Sequence, residues 1–435
     1  MKSRQQVAPI ARQQSFSSAL IAPTVTSVPR PSRWQRTFSA LRHYNFRLYF
    51  IGLLISVTGS WAQNVAQQWL VYDLTRSALV LGQVTFVMAV PVWLLGPWAG
   101  VVIDRMSRRT LLIITQVIQL AQAVILAALT FSGRIEVWHV IALSAMRGLA
   151  NAFDAPARQA FVVEMVGKED MSNAIALNST LMSLAQILGP SLGGIIVATL
   201  GTAWAFTINA ISFLAILIAL ILLRVTPSRP RLAKQSPLAD LLEGMRFICR
   251  TRTIAALMVI VLAVALFGAN YRVLLPVVTR EVLGKGEVAF GLLNGASGLG
   301  SVIGALLVAS LSSQPRRGRY LNAVNILLPV MLIALAFSRS YVLSLLILVL
   351  VGMSYTPQLS LSNMLIQSHI PDEIRGRVMS VYTLLIFGAF PLGGLIAGTL
   401  ADRFGAALAL GFSAGAMIAV SLLARIIVPQ LQGLE

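Results

Sequence analysis

Four polar residues, Arg147, Asn151, Asp154 and Arg158, recur at i, i+4, i+7 and i+11 in a stretch that is otherwise apolar. That spacing puts them on one stripe of a helix. Arg147 lies about ten residues into its stretch, hence ~15 Å deep at ~1.5 Å per residue. A charge there is costly in lipid unless it faces a bundle interior or a wet cavity. It can therefore bind a ligand, or it can pair with a carbonyl or amide of a neighbouring helix. A second set, Ser60, Gln63, Asn64 and Gln67, falls at i, i+3, i+4 and i+7 beside Trp61. Asn270, Tyr271 and Arg272 stand at similar depth in a later stretch, and Gln186, Asn294, Ser297, Tyr355 and Gln358 are further polar positions in apolar surroundings. Amides and aromatic rings suit a cavity that adapts to several ligands. Hydrogen bonding between helices is the other use of the same residues. Asp154 and Glu164 fall toward the cytoplasmic side and Asp73 at an outer end, so the middle is expected to hold no carboxylate. Two embedded arginines without a central acid favour an anionic or neutral polar ligand over a lipophilic cation.

These positions are carried by twelve long apolar stretches, at 48–72, 78–103, 110–132, 136–158, 172–197, 202–224, 253–279, 287–311, 319–338, 341–366, 377–401 and 405–428. The chain of 435 residues is 57% hydrophobic and 11% charged, with a mean hydropathy of +0.80, whereas a soluble domain carries about 25% charged residues. A span needs ~20 apolar residues, and backbone groups in lipid must be satisfied internally, which selects helices. An all-α polytopic membrane protein with 12 transmembrane helices is expected. Of 34 Lys and Arg, 26 fall on one side of these spans, 7 on the other, and Arg147 inside. Basic loops resist translocation, so both termini are placed in the cytoplasm and the protein in the inner (plasma) membrane. The net charge of +19 is dispersed at span ends, where it orients and anchors the chain, and does not form a nucleic-acid-binding face. One cysteine, Cys249, rules out an internal disulfide, and three scattered histidines, His43, His139 and His369, show no metal-ligand spacing. No metal or other cofactor is expected.

Residues 1–47 form a basic tail without acids or a cleavable signal, largely disordered by composition. From Ser32, the spacing of Trp34, Phe38 and Leu41 among Arg33, Arg36 and Arg42 suggests a short interfacial helix or a plain lead-in to the first span. A bundle at 48–224 and another at 253–428 flank a cytoplasmic loop at 225–252, and 429–435 is a second cytoplasmic tail. In the loop, Leu238, Leu241, Leu242, Met245 and Ile248 mark a helix lying on the membrane surface. The two halves repeat each other. Residues 192–200 recur at 392–400 with six of nine identities, and Gly96-x-x-x-Gly100 recurs as Gly300-x-x-x-Gly304. Parallel six-span repeats with a binding site between them are a known transporter plan.

After the second span, Gly100-Val-Val-Ile-Asp104-Arg105-Met-Ser-Arg108-Arg109 places an acid among bases where orientation alone requires only bases. This segment resembles the loop 2-3 signature of the major facilitator superfamily, with Ser107 and Val102 in place of its glycine and leucine. Gly189-Pro190-Ser-Leu-Gly193-Gly194 is similar to the family's antiporter motif, with Ala185 where glycine is usual, and Gly398-Thr-Leu-Ala-Asp402-Arg403-Phe-Gly405 also fits. The runs 153–159 and 371–378 look like the bacterial exporter branch that includes the enterobactin exporter and macrolide efflux proteins. The resemblance spans about 45–428. It implies two pseudo-symmetric six-helix bundles, no enzymatic activity, and a proton-coupled exporter of a siderophore-like or antibiotic-like molecule that works by alternating access as a monomer in the bilayer. It also implies that Asp104 and the nearby arginines latch the halves together on the cytoplasmic side in the outward-facing state. Asp104 capping a helix of the opposite half would contribute ~0.3 to 2 kcal/mol, and Arg108 or Arg109 could pair with Asp154. An uptake carrier of the same fold remains open, as do a membrane-embedded enzyme and a non-transporting receptor. No clustered nucleophile, base or metal-ligand set supports the enzyme.

Overall fold

The computed structural model describes residues 38–167, 169–224, 237–311 and 317–429, all helix, turn or connecting chain. The chain enters through a 3-10 turn, Ser39–Arg42; Arg33, Trp34 and Arg36 of the expected interfacial helix lie outside the described residues. The first half contains α1 (Tyr44–Thr75), α2 (Ala78–Arg105), α3 (Arg108–Phe131), α4 (Val137–Met165), α5 (Met171–Leu200) and α6 (Thr202–Leu222). An amphipathic helix, α7 (Pro237–Arg250), leads into the second half. There the run α8 (Arg252–Val282) is followed by α9 (Glu287–Leu311), α10 (Arg317–Phe337), α11 (Tyr341–Ser368), α12 (Asp372–Phe404) and α13 (Ala406–Ile427).

Ten of these helices are long and apolar enough to cross a membrane. The two that fall short by composition are α1 and α4, which carry Gln63, Asn64 and Gln67, and Arg147, Asn151, Asp154 and Arg158 respectively. Polar residues at such depth pair within a bundle or face a wet cavity. Large apolar side chains face outward, as with Ile211, Ile218 and Ile221 on α6, and exposed Trp98, Trp138 and Trp204 lie near helix ends where an aromatic ring suits the lipid interface.

Within the first half α1 packs on α5 and α6, and α4 on α2 and α3; in the second, α11 packs on α9 and α10, and α13 on α10 and α12. The two halves meet mainly through α2 with α12 and α5 with α9. The duplication extends to the turns: Gly201 (φ +93°) and Gly405 (φ +89°) occupy the same backbone region ahead of α6 and α13, a conformation L side chains resist.

The core divides along its length. We call the end that carries Tyr44 and Ile427 proximal and the other distal. At the distal end one continuous cluster draws on both halves, joining Trp69, Tyr72 and Leu81 to Leu274, Phe290 and Leu335. At the proximal end there are two clusters. One, around Phe46, Leu112, Phe161 and Phe213, belongs to the first half alone, and the other, around Leu257, Leu365, Val378 and Tyr382, to the second alone.

Candidate functional site

In the first half the site is built by α1 and α4. Arg147 Nη1 donates to Asn64 Oδ1 at 2.6 Å and Nη2 to the Ser60 carbonyl at 3.5 Å. Only 7% of Arg147 is exposed. Gln67 is tied to α4 as well, its Nε2 donating to Ser144 Oγ at 2.8 Å. The next residue after Arg147 is a glycine because α2 comes so close: a Cβ on Gly148 would stand 2.0 Å from the Met88 carbonyl oxygen.

Gln63 departs from the cavity-lining expectation. It is wholly buried, donating to Gln122 at 2.9 Å and accepting from Asn209 at 2.6 Å, inside the first half between α3 and α6. One residue from Asn64 on a helix is a rotation of ~100°, which turns Gln63 away from Arg147.

In the second half the counterpart is built by α8 and α11. The Tyr271 hydroxyl shares a 2.5 Å hydrogen bond with Ser297, and Arg272 Nε donates to the same hydroxyl at 3.2 Å. The Arg272 guanidinium lies over the rings of Tyr271 and Tyr355, 5.8 and 5.9 Å from their centroids. The α8 helix is irregular here, with π-helical stretches at Val264–Gly268 and Val278–Val282 on either side of Tyr271–Val277. Such distortions recur where a helix serves a site and does not merely fill a core. Gln186 contributes its carbonyl to the α5–α9 contact, where a Cβ on Gly298 would come within 2.7 Å of it. A cavity of about 470 Å³ lies between α11 and α12, lined by Leu359, Ser360, Asn363, Met364, Gln367 and Tyr382, one turn from Tyr355.

The acid-base group of α4 differs from expectation in two ways. Because α4 runs from Val137 to Met165, Asp154 stands near its middle and not toward an end, and it is buried. Its carboxylate is paired with Arg158 on the next turn and accepts from Thr115 at 3.0 Å and Gln116 at 2.7 Å. It pairs with neither Arg108 nor Arg109. Arg108 reaches Glu164 at 2.8 Å and the Ala160 carbonyl at 2.9 Å. Arg109 donates from Nε and Nη2 to the carbonyls of Leu220 and Ile221, each at 2.7 Å, capping the end of α6. Both arginines are held within their own half because a closer acceptor lies at the adjoining helix end. Arg105 is exposed. The Asp104 side chain lies outside the described residues.

At the distal end the halves are joined by contacts that the sequence alone does not reveal. Asp402 at the end of α12 accepts from the Ser77 hydroxyl, from the Ala78 amide at 2.6 Å and from the Leu79 amide at 3.2 Å, so it caps α2. Tyr72 donates to Glu281, Trp69 Nε1 donates to Glu287 at 3.1 Å, and Arg280 sits 3.5 Å from Asp73 and over the Trp69 ring. The signal available for Asp402 was its G-x-x-x-D-R spacing, the same as around Asp104.

The duplicated glycine pairs perform one task twice. A Cβ on Gly193 would lie 2.7 Å from the Ala62 carbonyl oxygen, and one on Gly393 would lie 1.8 Å from that of Leu266, so each packs on the first span of its own half. The second glycine faces the other half: a Cβ on Gly194 would be 2.8 Å from Gly291 Cα, and one on Gly82 would be 2.6 Å from the Gly394 carbonyl oxygen. Gly189 packs on Trp61 and Thr58, and Gly291 meets the Pro190 carbonyl. The antiporter-like motif is thus a close-approach surface at the joint between halves.

A family model described as transmembrane secretion effector matches residues 35–434. The chain belongs to that family, a branch of the major facilitator superfamily. Among its relatives, the staphyloferrin A transporter of Staphylococcus aureus is 27% identical over 82% of this chain and 90% of its own length. The multidrug efflux pump Tap of Mycolicibacterium fortuitum is 29% identical over 82% and 89%, and macrolide efflux protein A of Streptococcus pyogenes is 23% identical over 84% and 92%. The fold is shared with the nucleoside transporter NupG, at TM-score 0.70 and 13% identity over 88% of this chain and 99% of that one. It is also shared with an inward-facing bacterial homologue of the human lysosomal transporter Spinster, at TM-score 0.65 and 14% identity over 92% and 97%. The protein is a multi-pass membrane transporter and not an enzyme.

Proposed function

We propose that this member of the secretion effector family exports a small organic molecule, siderophore-like or antibiotic-like, by alternating access driven by the proton gradient. The proximal end, with both termini, is assigned to the cytoplasm on the Lys and Arg distribution. The observation that carries the reading is the divided core, continuous between halves at the distal end and separate at the proximal end. Two packed bodies that share one joint and part at the other end can rock about it. In this arrangement the transporter is open to the cytoplasm and sealed outside by Asp402, Tyr72, Trp69 and Arg280. In the opposite state Gly100, Asp104, Arg105, Arg108 and Arg109 would approach α12 while the Asp154–Arg158 pair holds α4 firm. The names of the relatives, one siderophore transporter and two efflux proteins, support export as the direction.

The test is accumulation of labelled siderophores and macrolides in cells with and without the gene. Export predicts a lower internal level that a protonophore restores. A higher level in cells carrying the gene would indicate an uptake carrier instead.

A further inference from the structure

Among the described residues, each half holds one guanidinium deep in its helices with no opposing carboxylate. Arg158 is cancelled by Asp154, and Arg280 at the distal end faces Asp73. Arg147 and Arg272 are different. Their partners among the described residues are an amide, a backbone carbonyl, a hydroxyl and two aromatic faces, all neutral.

Their settings mirror one another. Arg147 on α4 is steered by Asn64 on α1, and Arg272 on α8 is steered by Tyr355 on α11. In the repeat α8 corresponds to α1 and α11 to α4, so the charge has changed helix while keeping its place between the same pair. Depth is conserved too. Arg147 follows Val137, the distal start of α4, by ten residues, and Arg272 precedes Val282, the distal end of α8, by ten, which puts both ~15 Å from that end. The lining of the cavity that begins one turn below Tyr355 carries no acid among the described residues.

Resting on the transporter reading, we propose that Arg147 and Arg272 form a two-point anchor for a small organic polycarboxylate, with one carboxylate on each guanidinium and one guanidinium from each half. A planar guanidinium offers five N–H donors in a fork that matches a carboxylate bidentately. Arg147 uses two donors and Arg272 one on protein acceptors among the described residues, so each keeps donors for a ligand. An uncompensated buried cation is unfavourable in lipid, and the substrate supplies the counter-charge. A lipophilic cation is repelled by the same pair.

The full-length protein in phosphatidylcholine nanodiscs tests this by calorimetric titration with citrate, tricarballylate, uncharged triethyl citrate and tetraphenylphosphonium. Citrate or tricarballylate should bind, with the uncharged ester and the cation at least ~10-fold weaker. Arg147→Gln and Arg272→Gln should each weaken carboxylate binding by ~10-fold to 100-fold without lowering the melting temperature of the unliganded protein, and Arg→Lys should recover part of the loss. Equal binding of the ester, no binding of either carboxylate, or unchanged affinity in the Gln variants would overturn the anchor. Should a Gln variant not fold, its Lys variant and the ester comparison decide. The two readings fail separately: lowered accumulation of a macrolide without carboxylate binding leaves export standing and removes the anchor, whereas carboxylate binding with raised accumulation does the reverse.

Discussion

The α2–α12 pair behaves differently at its two ends. From the distal side, Ala78 packs under Gly398 and Gly82 under Gly394, and farther along Trp93 Nε1 donates to the Phe387 carbonyl at 3.0 Å. Beyond that point a Cβ on Gly96 or Gly100 would meet none of the described residues within 4 Å. Yet both helices end in the same G-x-x-x-D-R run, at Asp402 distally and Asp104 proximally. The antiparallel register set by the distal contacts carries Asp104 to the level of the first turn of α12, just as it carries Asp402 to the first turn of α2. On the proposed rocking motion, one motif would serve two opposed joints. The Asp402 carboxylate on two amides and a hydroxyl is a small contact, so a closed end held by such a cap, worth ~1 to 2 kcal/mol, would yield to a ligand or proton. The ends are not equivalent in charge. The first turn of α2 has no acid, whereas that of α12 begins with Asp372 and Glu373. A capping carboxylate gains less at α12, and an arginine there gains more.

The largest break in this asymmetry is expected from Gly194→Leu, because the added Cβ alone would stand 2.7 Å from the Glu287 carbonyl oxygen. Overpacking of ~1 to 3 kcal/mol or more at the α5–α9 joint should prop the distal end open and abolish transport. Spin labels at the distal ends of α2 and α9 should report the wider separation, and a wild-type distance distribution would show that distal closure does not depend on this joint. Asp402→Asn should be milder, shifting the population of distal-closed molecules by ~5-fold to 30-fold through loss of a charge-assisted cap; the same labels measure it. Asp104→Asn should impair transport while insertion stays intact, with a shift opposite in sign and smaller than that of Asp402→Asn, since α12 already carries two acids. Arg105→Gln should exceed Asp104→Asn. If Asp104→Asn instead has the larger effect, the charge argument for the two ends is wrong.

Much of this frame is legible in the chain itself. Apolar runs fix the helices, and the 192–200 and 392–400 repeat fixes the division into halves, because packing glycines leave a local mark. The helix Pro237–Arg250 is marked by the periodicity of Leu241, Met245 and Ile248. What one helix cannot record is which neighbour receives a side chain. Gln63 and Asn64 are adjacent amides, and only tertiary packing decides that one is sealed in an amide chain with Gln122 and Asn209 while the other holds Arg147. Asp154 looks peripheral because its apolar stretch ends at 158, but α4 runs on to Met165. The distal contacts escape for a similar reason: nothing local marks Asp73, Glu281 and Glu287 as partners, and only the packing of α1, α8 and α9 brings them together.

The smallest effect belongs to the proximal end of the first half, outside the membrane-spanning segments. Asp170 accepts from Ser39 and lies 2.8 Å from His43 Nε2, and these hydrogen bonds, that of Ser39 foremost, hold its carboxyl below the usual aspartate range. A depressed carboxyl stabilises the folded form above its unfolded pKa of about 4 and loses that contribution as pH falls through the lower folded value. The entry turn Ser39–Arg42 should therefore stay docked through neutral and mildly acidic pH and loosen only below about pH 4. Because the pair is in water, the effect should be confined to local protection. Amide exchange at Ala40, whose N–H donates to Asn173 at 3.0 Å, reports it. Asp170→Asn should raise that exchange at pH 7 and remove its rise below pH 4, leaving the distal spin-label distances unchanged. Coupled movement of the distal labels would mean that the entry turn belongs to the rocking joint and is not a local anchor of one half.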